Sequence, residues 1–264
     1  MSMAAPATGP CEDERVPGGV VIYSAVTAGY DQVLAPARQS FPVEFLLCSD
    51  TGDRVRRWTT VPMYERFECN IATNRYHKFF PHKLFPRAQY SIYLDGNIGI
   101  IGDLSSLLAE FRNSGAAVGV FRHRDRDNIR EEMTACLEQS KFDAADLERS
   151  QEQLDFYLAQ GMPADTRLTD NGVIFRWHGH PGLVAAMDDW WEQFNRFTKR
   201  DQLSLPYVLW KSALPVKIWQ WSFRESNHYF EKYPHSGSPM RNLRTRLRNA
   251  RSKLTRSRNH VESD

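Results

Sequence analysis

Three apolar runs in the first hundred residues end alike, in an oxygen-bearing side chain where the chain leaves the run. GVVIYSAVTAGYD (19–31) passes from β-prone residues to Thr27, Tyr30 and Asp31. FPVEFLLCSD (41–50) ends in Ser49-Asp50, and YSIYLDGN (90–97) ends in Asp95-Gly96-Asn97. Runs that are apolar throughout, rather than at alternate positions, read as strands buried on both faces. GAAVGVFRH (115–123), TDNGVIFRW (169–177) and LPVKIWQW (214–221) extend the series to six. Between them, segments 127–142, 181–197 and 200–212 carry apolar residues at helical spacing, the last with Pro206 as a candidate bend. Alternating strands and helices predict an α/β sheet with helices on both sides. Ligands of such sheets bind at the carboxyl ends of strands, where Thr27, Asp50 and Asp95 are expected to cluster.

At 264 residues and 41% hydrophobic, the chain can bury the core of one large domain or two small ones. From Met240 onward eight Arg and Lys stand against two acids, so that segment carries +6 of a net +2, and the preceding 239 residues carry −4. Leu243, Leu247, Ala250 and Leu254 form one stripe among these arginines. The stripe reads either as a basic amphipathic helix for an anionic membrane surface, through residues 241–258, or as a disordered tail. An acidic body without a reader motif argues against nucleic acid as partner. Cys11, Cys48, Cys69 and Cys136 form no CxxC pair, and the first residues show neither a basic n-region nor an apolar signal core. The expectation is a reducing, cytoplasmic setting. Residues 1–18 read as a flexible leader, 19–238 as the domain and 239–264 as the tail.

The candidate chemistry has bland alternatives. Asp95-Gly96-Asn97 is a common turn sequence, and also a cradle for a hard divalent cation bound to a diphosphate. NRYHKFFPHKLFP (74–86) places Arg75, His77, Lys78, His82 and Lys83 among aromatics, as a half-buried cationic helix face or a solvated one. His178 and His180 form an HxH pair that also suits a turn. Asp201 and Gln202 open a predicted helix, where an Asp serves as cap or as general base. His228 and His235 are late histidines that either close over a metal or lie on the surface. No GxGxxG, Walker loop or GxSxG is present.

Taken in order, TAGYDQV, CSD, NRYHKFFPHKLFP, YSIYLDGNI, DNGVIFRWHGHPG and KRDQLSLPYVLWK resemble a glycosyltransferase-like domain family. That family, once catalogued as a domain of unknown function, occurs in bacterial polysaccharide loci and in plant proteins linked to cell-wall and mucilage polysaccharides. The resemblance covers roughly residues 20–236. The family is similar in turn to family 8 glycosyltransferases, which implies a GT-A-like single domain with a mixed, mostly parallel sheet flanked by helices. Asp95-Gly96-Asn97 takes the place of the DxD motif, with the neutral Asn97 where a second carboxylate is usual. Asn171-Gly172-Val173 and Asp201-Gln202 resemble the two later elements.

The resemblance implies a nucleotide-sugar donor, expected to be UDP-linked, lying across the strand ends. Thr27, Tyr30 and Asp31 would face the nucleotide, with Asp50 near base or ribose. Asp95, Asn97 and His228, preferred to His235 by position, would hold Mn²⁺ or Mg²⁺. Arg75 and Lys78 would help stabilise the leaving diphosphate, Asp201 would meet the acceptor hydroxyl, and Asn171 and Gln202 would orient the sugar. The leading expectation is a metal-dependent transferase acting on a surface-glycan or lipid-linked acceptor at the inner membrane face. A degenerate nucleotide- or glycan-binding module is the alternative, motivated by Asn97. A nucleotidyltransferase ranks last, because TAGYD lacks a Gly-rich basic loop.

Overall fold

The computed structural model describes residues 19–235. The expected leader and the basic tail with its apolar stripe lie outside the described residues. Within them the chain forms, in order, β1 (Val20–Val26), β2 (Val43–Ser49), β3 (Thr59–Val61), α1 (Asn70–Phe79), α2 (Pro81–Leu84), β4 (Tyr90–Leu94), β5 (Ile98–Ile100) and α3 (Ser105–Ser114). Then follow β6 (Val118–Arg122), α4 (Ile129–Glu138), α5 (Ala144–Ala159), β7 (Thr169–Trp177), α6 (Leu183–Arg196), α7 (Asp201–Ser212), β8 (Val216–Trp219) and β9 (Phe230–Lys232).

Seven strands make one sheet, ordered β3-β2-β1-β4-β7-β6-β8, and β5 pairs with β9 in a separate ribbon. The pairings β1–β2, β1–β4, β2–β3 and β6–β8 are parallel, whereas β7 runs antiparallel to β4 and β6. The sheet is mixed and mostly parallel, as expected. The reversal of β7 matters most for the site. It brings the start of that strand, Thr169 to Gly172, to the edge where β1 and β4 end.

Continuous apolar runs follow from burial on both faces. Along β1, Val21, Tyr23 and Ala25 enter one core with α1, α6 and α7, while Val20, Ile22 and Val26 enter the other with α3. Phe79 of α1 stacks on Trp190 of α6 with ring centroids 3.7 Å apart, locking the cationic helix against the sheet. The half-buried reading of segment 74–86 holds: His77, Lys78 and Phe79 are buried, and Pro81 opens α2 at a position that requires no N–H. Helix α4 starts with Asn128 accepting from the Glu131 N–H, and α7 continues through Pro206.

Candidate active site

Where the sheet's carboxyl edge meets the start of β7, a cavity of about 510 Å³ opens. The loop after β1 forms one wall. Asp50 accepts the Ala28 N–H through both carboxylate oxygens, at 2.9 and 3.0 Å, and pins this loop. Tyr30 stands 65% exposed over the cavity, its ring centroid 4.9 Å from that of His235.

Asp95 leaves β4 beneath that wall. Its N–H donates to the Gly172 carbonyl at 2.9 Å, and its own carbonyl accepts from Ile98 at 2.9 Å, closing a tight turn. The turn and ligand readings of Asp95-Gly96-Asn97 are therefore compatible, since the backbone turns while both flanking side chains line the cavity. Gly96 is required by close approach: a Cβ there would lie 2.8 Å from both Asp31 Cβ and Val26 Cγ2. Gly172 is required likewise, because its Cβ would meet Phe223 Cζ at 2.7 Å and Asp95 Oδ2 at 3.3 Å.

Helix α1 delivers two cations from one face, three residues apart. Asn74 ties this helix to the end of β1 by donating to the Ala25 carbonyl at 2.7 Å. Lys78 Nζ lies 2.7 Å from Asp201 Oδ2 and 3.3 Å from Asp95 Oδ1, and Arg75 Nε lies 3.0 Å from Asp201 Oδ1. Burial by itself would raise the Asp201 pKa, but the Arg75 and Lys78 charges more than reverse this and hold the carboxyl far below the usual carboxylate range. From below, Tyr23 Oη and Arg176 Nη2 both donate to the Lys78 carbonyl, at 3.0 and 2.9 Å, fixing the helix end. Asn171 Nδ2 donates to the Asp201 carbonyl at 3.1 Å, and Gln202 Nε2 donates to the Thr169 carbonyl, so these carboxamides tie β7 to the start of α7.

The register of β5 and β9 determines which late histidine reaches the site. Ile98 pairs with Lys232 and Ile100 with Phe230, so the chain after β9 runs back towards Asp95. Asn97 Nδ2 donates to the Tyr233 carbonyl at 3.1 Å, which leaves its carboxamide oxygen for a ligand. His235 Nδ1 faces the Asp31 carboxylate at 3.1 and 3.2 Å, which leaves Nε2; metal-bound histidines commonly have such a carboxylate partner. Asp95, Asn97 and His235 thus offer two kinds of oxygen and one imidazole nitrogen, a donor set that suits Mn²⁺ or Mg²⁺. No three His, Cys, Asp or Glu among the described residues could hold a metal ion by themselves. The set fits a cation whose shell is completed by water and by oxygens of an anionic ligand.

This geometry stands beside a sequence match. Residues 47–235 match the model of the TOD1/MUCI70 glycosyltransferase-like domain. The chain belongs to that family. A relative is the probable hexosyltransferase MUCI70 of Arabidopsis thaliana, 26% identical over 224 residues; the match covers 74% of this chain but 38% of the plant protein. Solved structures that align are the bifunctional glycosyltransferase WbbM (TM-score 0.46, 13% identity, 81% of this chain, 40% of that one) and mouse xyloside xylosyltransferase 1 (0.46, 10%, 77%, 85%). The galactosyltransferase LgtC, in complex with donor and acceptor sugar analogues, aligns at 0.41 with 12% identity, over 75% of this chain and 72% of that one.

Of the site residues expected for this TOD1/MUCI70 domain, Thr27, Tyr30, Asp31, Arg75, Lys78, Asp95, Asn97, Asn171, Asp201 and Gln202 line the cavity. Two others do not. Asp50 spends its carboxylate on the Ala28 amide, so it shapes the first loop without lining the cavity. His228 precedes β9, lies at the far end of the β5–β9 ribbon and is exposed; His235 lines the cavity instead. The HxH pair lies at the opposite end of β7. His178 Nε2 meets Ser91 Oγ at 2.8 Å, and burial pushes its pKa down to about 3. His77 is structural, with Nε2 accepting from the Tyr64 N–H at 2.9 Å.

Sequence reading also missed a group of cavity residues on the β6–β7 side. Asp170, fully buried, binds Arg224 through two nitrogens. Glu132, 1% exposed, lies 2.6 Å from Arg126 Nε and 3.1 Å from Arg200 Nη2. The signal for Asp170 was its position one residue before Asn171. Glu132 read as an ordinary acid in the first turn of α4.

Proposed function

We propose that this domain is a metal-dependent glycosyltransferase, which moves a hexosyl or related group from a UDP-linked donor to a glycan acceptor. The observation that carries the reading is the position of Asp95: a carboxylate on a sharp turn at the cavity floor, within reach of Lys78 and flanked by Asn97 and His235. Family membership supports the same reading. Asp95, Asn97 and His235 would hold Mn²⁺ or Mg²⁺. Bound there, the cation would offset charge on the departing diphosphate.

The chain's own residues have distinct tasks. Tyr30 offers an exposed aromatic face at the mouth, suited to a nucleobase. Lys78 and Arg75, held rigidly by Asp201, place positive charge beside Asp95, where negative charge develops on the leaving group. Asp201 stays ionised at neutral pH and is a weak proton acceptor, because its charge is already claimed by two cations. It suits the task of accepting a hydrogen bond from a sugar or acceptor hydroxyl and orienting it. Asn171 and Gln202 act through the backbone, fixing where α7 begins and hence where Asp201 stands.

Family membership and charge distribution support one reading of the acceptor class. We read it as a surface polysaccharide or a lipid-linked glycan, with residues 241–258 attracted to an anionic membrane face from the cytoplasmic side. No described helix is long and apolar enough to cross a membrane. The test is turnover of a panel of nucleotide sugars by the full chain, with Mn²⁺ and after exhaustive metal removal. The reading requires donor hydrolysis or transfer that chelation abolishes and Mn²⁺ restores. Tight binding of donors without any turnover would show instead a binding module on the same scaffold.

A further inference from the structure

Eight Lys and Arg line the cavity against five Asp and Glu. The surplus is concentrated on one side. Around Asp95 and Asp201, Arg75 and Lys78 roughly balance the acids that they touch. On the opposite wall the arrangement differs. Asp170 and Glu132 lie at the back of the cavity lining, 0% and 1% exposed, with their carboxylates engaged by arginines. Each works from behind: Asp170 grips Arg224, and Glu132 grips Arg126 and Arg200. Buried carboxylates that fix guanidinium groups in this way present preoriented donors to the cavity.

Two lysines complete this wall with no acid of their own. Lys141 donates to the neutral Gln139 Oε1 at 2.6 Å. The Lys232 ammonium lines the cavity with no hydrogen-bond or ion-pair partner among the described residues, its backbone alone being paired, in the β5–β9 ribbon. Burial and then the Arg224 charge lower the Lys232 pKa; burial and then the Arg200 charge lower that of Lys141. Cations crowded onto one face, with their balancing acids buried behind, create a positive potential that an anion relieves.

We propose that the wall of Arg126, Arg200 and Arg224, completed by Lys141 and Lys232, is a second anion subsite that takes a carboxylate or phosphate carried by the transferred sugar or by the acceptor. The inference rests on the glycosyltransferase reading, in which the Asp95 side takes the diphosphate, and it makes at least one substrate an acidic saccharide.

Calorimetry on the full chain with Mn²⁺ separates the two sources. The donor arm compares UDP, UDP-glucose and UDP-glucuronate. The acceptor arm, at saturating UDP, compares glucose, glucuronate and glucose 6-phosphate. In one arm the anionic ligand should bind about ten-fold tighter than its neutral counterpart, the equivalent of one charge-assisted contact. That advantage should shrink as salt rises from about 50 to about 500 mM. In the Lys141→Met/Lys232→Met double variant it should collapse while the Kd for UDP and UDP-glucose holds. Both lysines keep solvent-accessible surface although neighbouring groups partly desolvate their ammonium ends, so folding is expected to survive; a melting curve checks this, and either single variant serves if the double variant does not fold. Equal binding of neutral and anionic ligands in both arms would overturn the proposal. So would an equal loss for UDP, UDP-glucose and UDP-glucuronate, which would assign the lysines to the diphosphate. Failure of UDP to bind at all would instead defeat the transferase reading, and this inference with it.

Discussion

Replacing Asp201 by Asn removes one negative charge from between Arg75 and Lys78 and changes the shape very little. The two cations are 23% and 2% exposed, and Asp201 is 7% exposed. Breaking a buried ion pair by deleting one partner typically costs about 3–5 kcal/mol. Lys78 keeps Asp95 at 3.3 Å, and Arg75 is partly solvated, so the lower end, about 3 kcal/mol, is expected. For a domain of this size that corresponds to a fall in Tm of roughly 6–12 °C. The pH dependence is more diagnostic. Burial opposes ionisation of Asp201, but Arg75 and Lys78 prevail, so the folded pKa lies below the unfolded one. Such a group contributes stability that is fully present above the unfolded value, about 4, and is lost as pH falls through the folded value. Urea unfolding of wild type and variant should show a gap that is flat from about pH 8 to 5. Below about pH 4 the gap should narrow by up to about 1.4 kcal/mol per unit, because only the wild-type unfolded chain gains the proton. A gap that stays constant down to pH 3, or no gap at neutral pH, would refute the claim that two cations claim the Asp201 charge.

Gly96→Ala forces a Cβ to 2.8 Å from Asp31 and Val26; a loss of about 1–3 kcal/mol in urea unfolding is expected, with weaker donor binding. His235→Ala should weaken Mn²⁺-assisted UDP binding about ten-fold by calorimetry, whereas His228→Ala should leave it unchanged. Burial depresses the pKa of His178 to about 3 and that of His82 to about 4, so both are neutral when folded and protonate first in the unfolded chain. Stability should fall as pH drops from about 6.5 towards 4, and His178→Gln should remove part of that slope in pH-dependent unfolding.

The strand ends were legible because burial on both faces leaves an unbroken apolar run, and the first polar residue after it marks the sheet edge. Thr27 and Asp95 were placed in this way. Direction was not legible: the run 169–177 reads the same parallel or antiparallel. Asp170 therefore reached the cavity with no signal beyond its place next to Asn171, which was itself found only through family resemblance. His235 was passed over for His228 because the choice depends on the pairing of two three-residue strands, β5 and β9, too short to carry a period. Asp50 sits where the rule for strand ends puts a ligand group, yet the Ala28 N–H in the loop after the neighbouring strand β1, 22 residues earlier, claims it. Helices α3 and α5 went unread, the second with only four buried residues in sixteen. The cationic wall was hidden because Glu132, Arg126 and Arg200 each have an ordinary local explanation. Only the packing of α4 beside α7 makes them one cluster.

The most direct measurement is UDP binding by calorimetry, with and without Mn²⁺, for wild type and Asp95→Ala. Wild type should bind UDP at least ten-fold more tightly with the metal, about 1.4 kcal/mol, and the alanine variant should lose that gain while remaining folded. An unchanged response to Mn²⁺ in the variant would contradict the account, because the Asp95 carboxylate would then have no part in holding the donor's diphosphate.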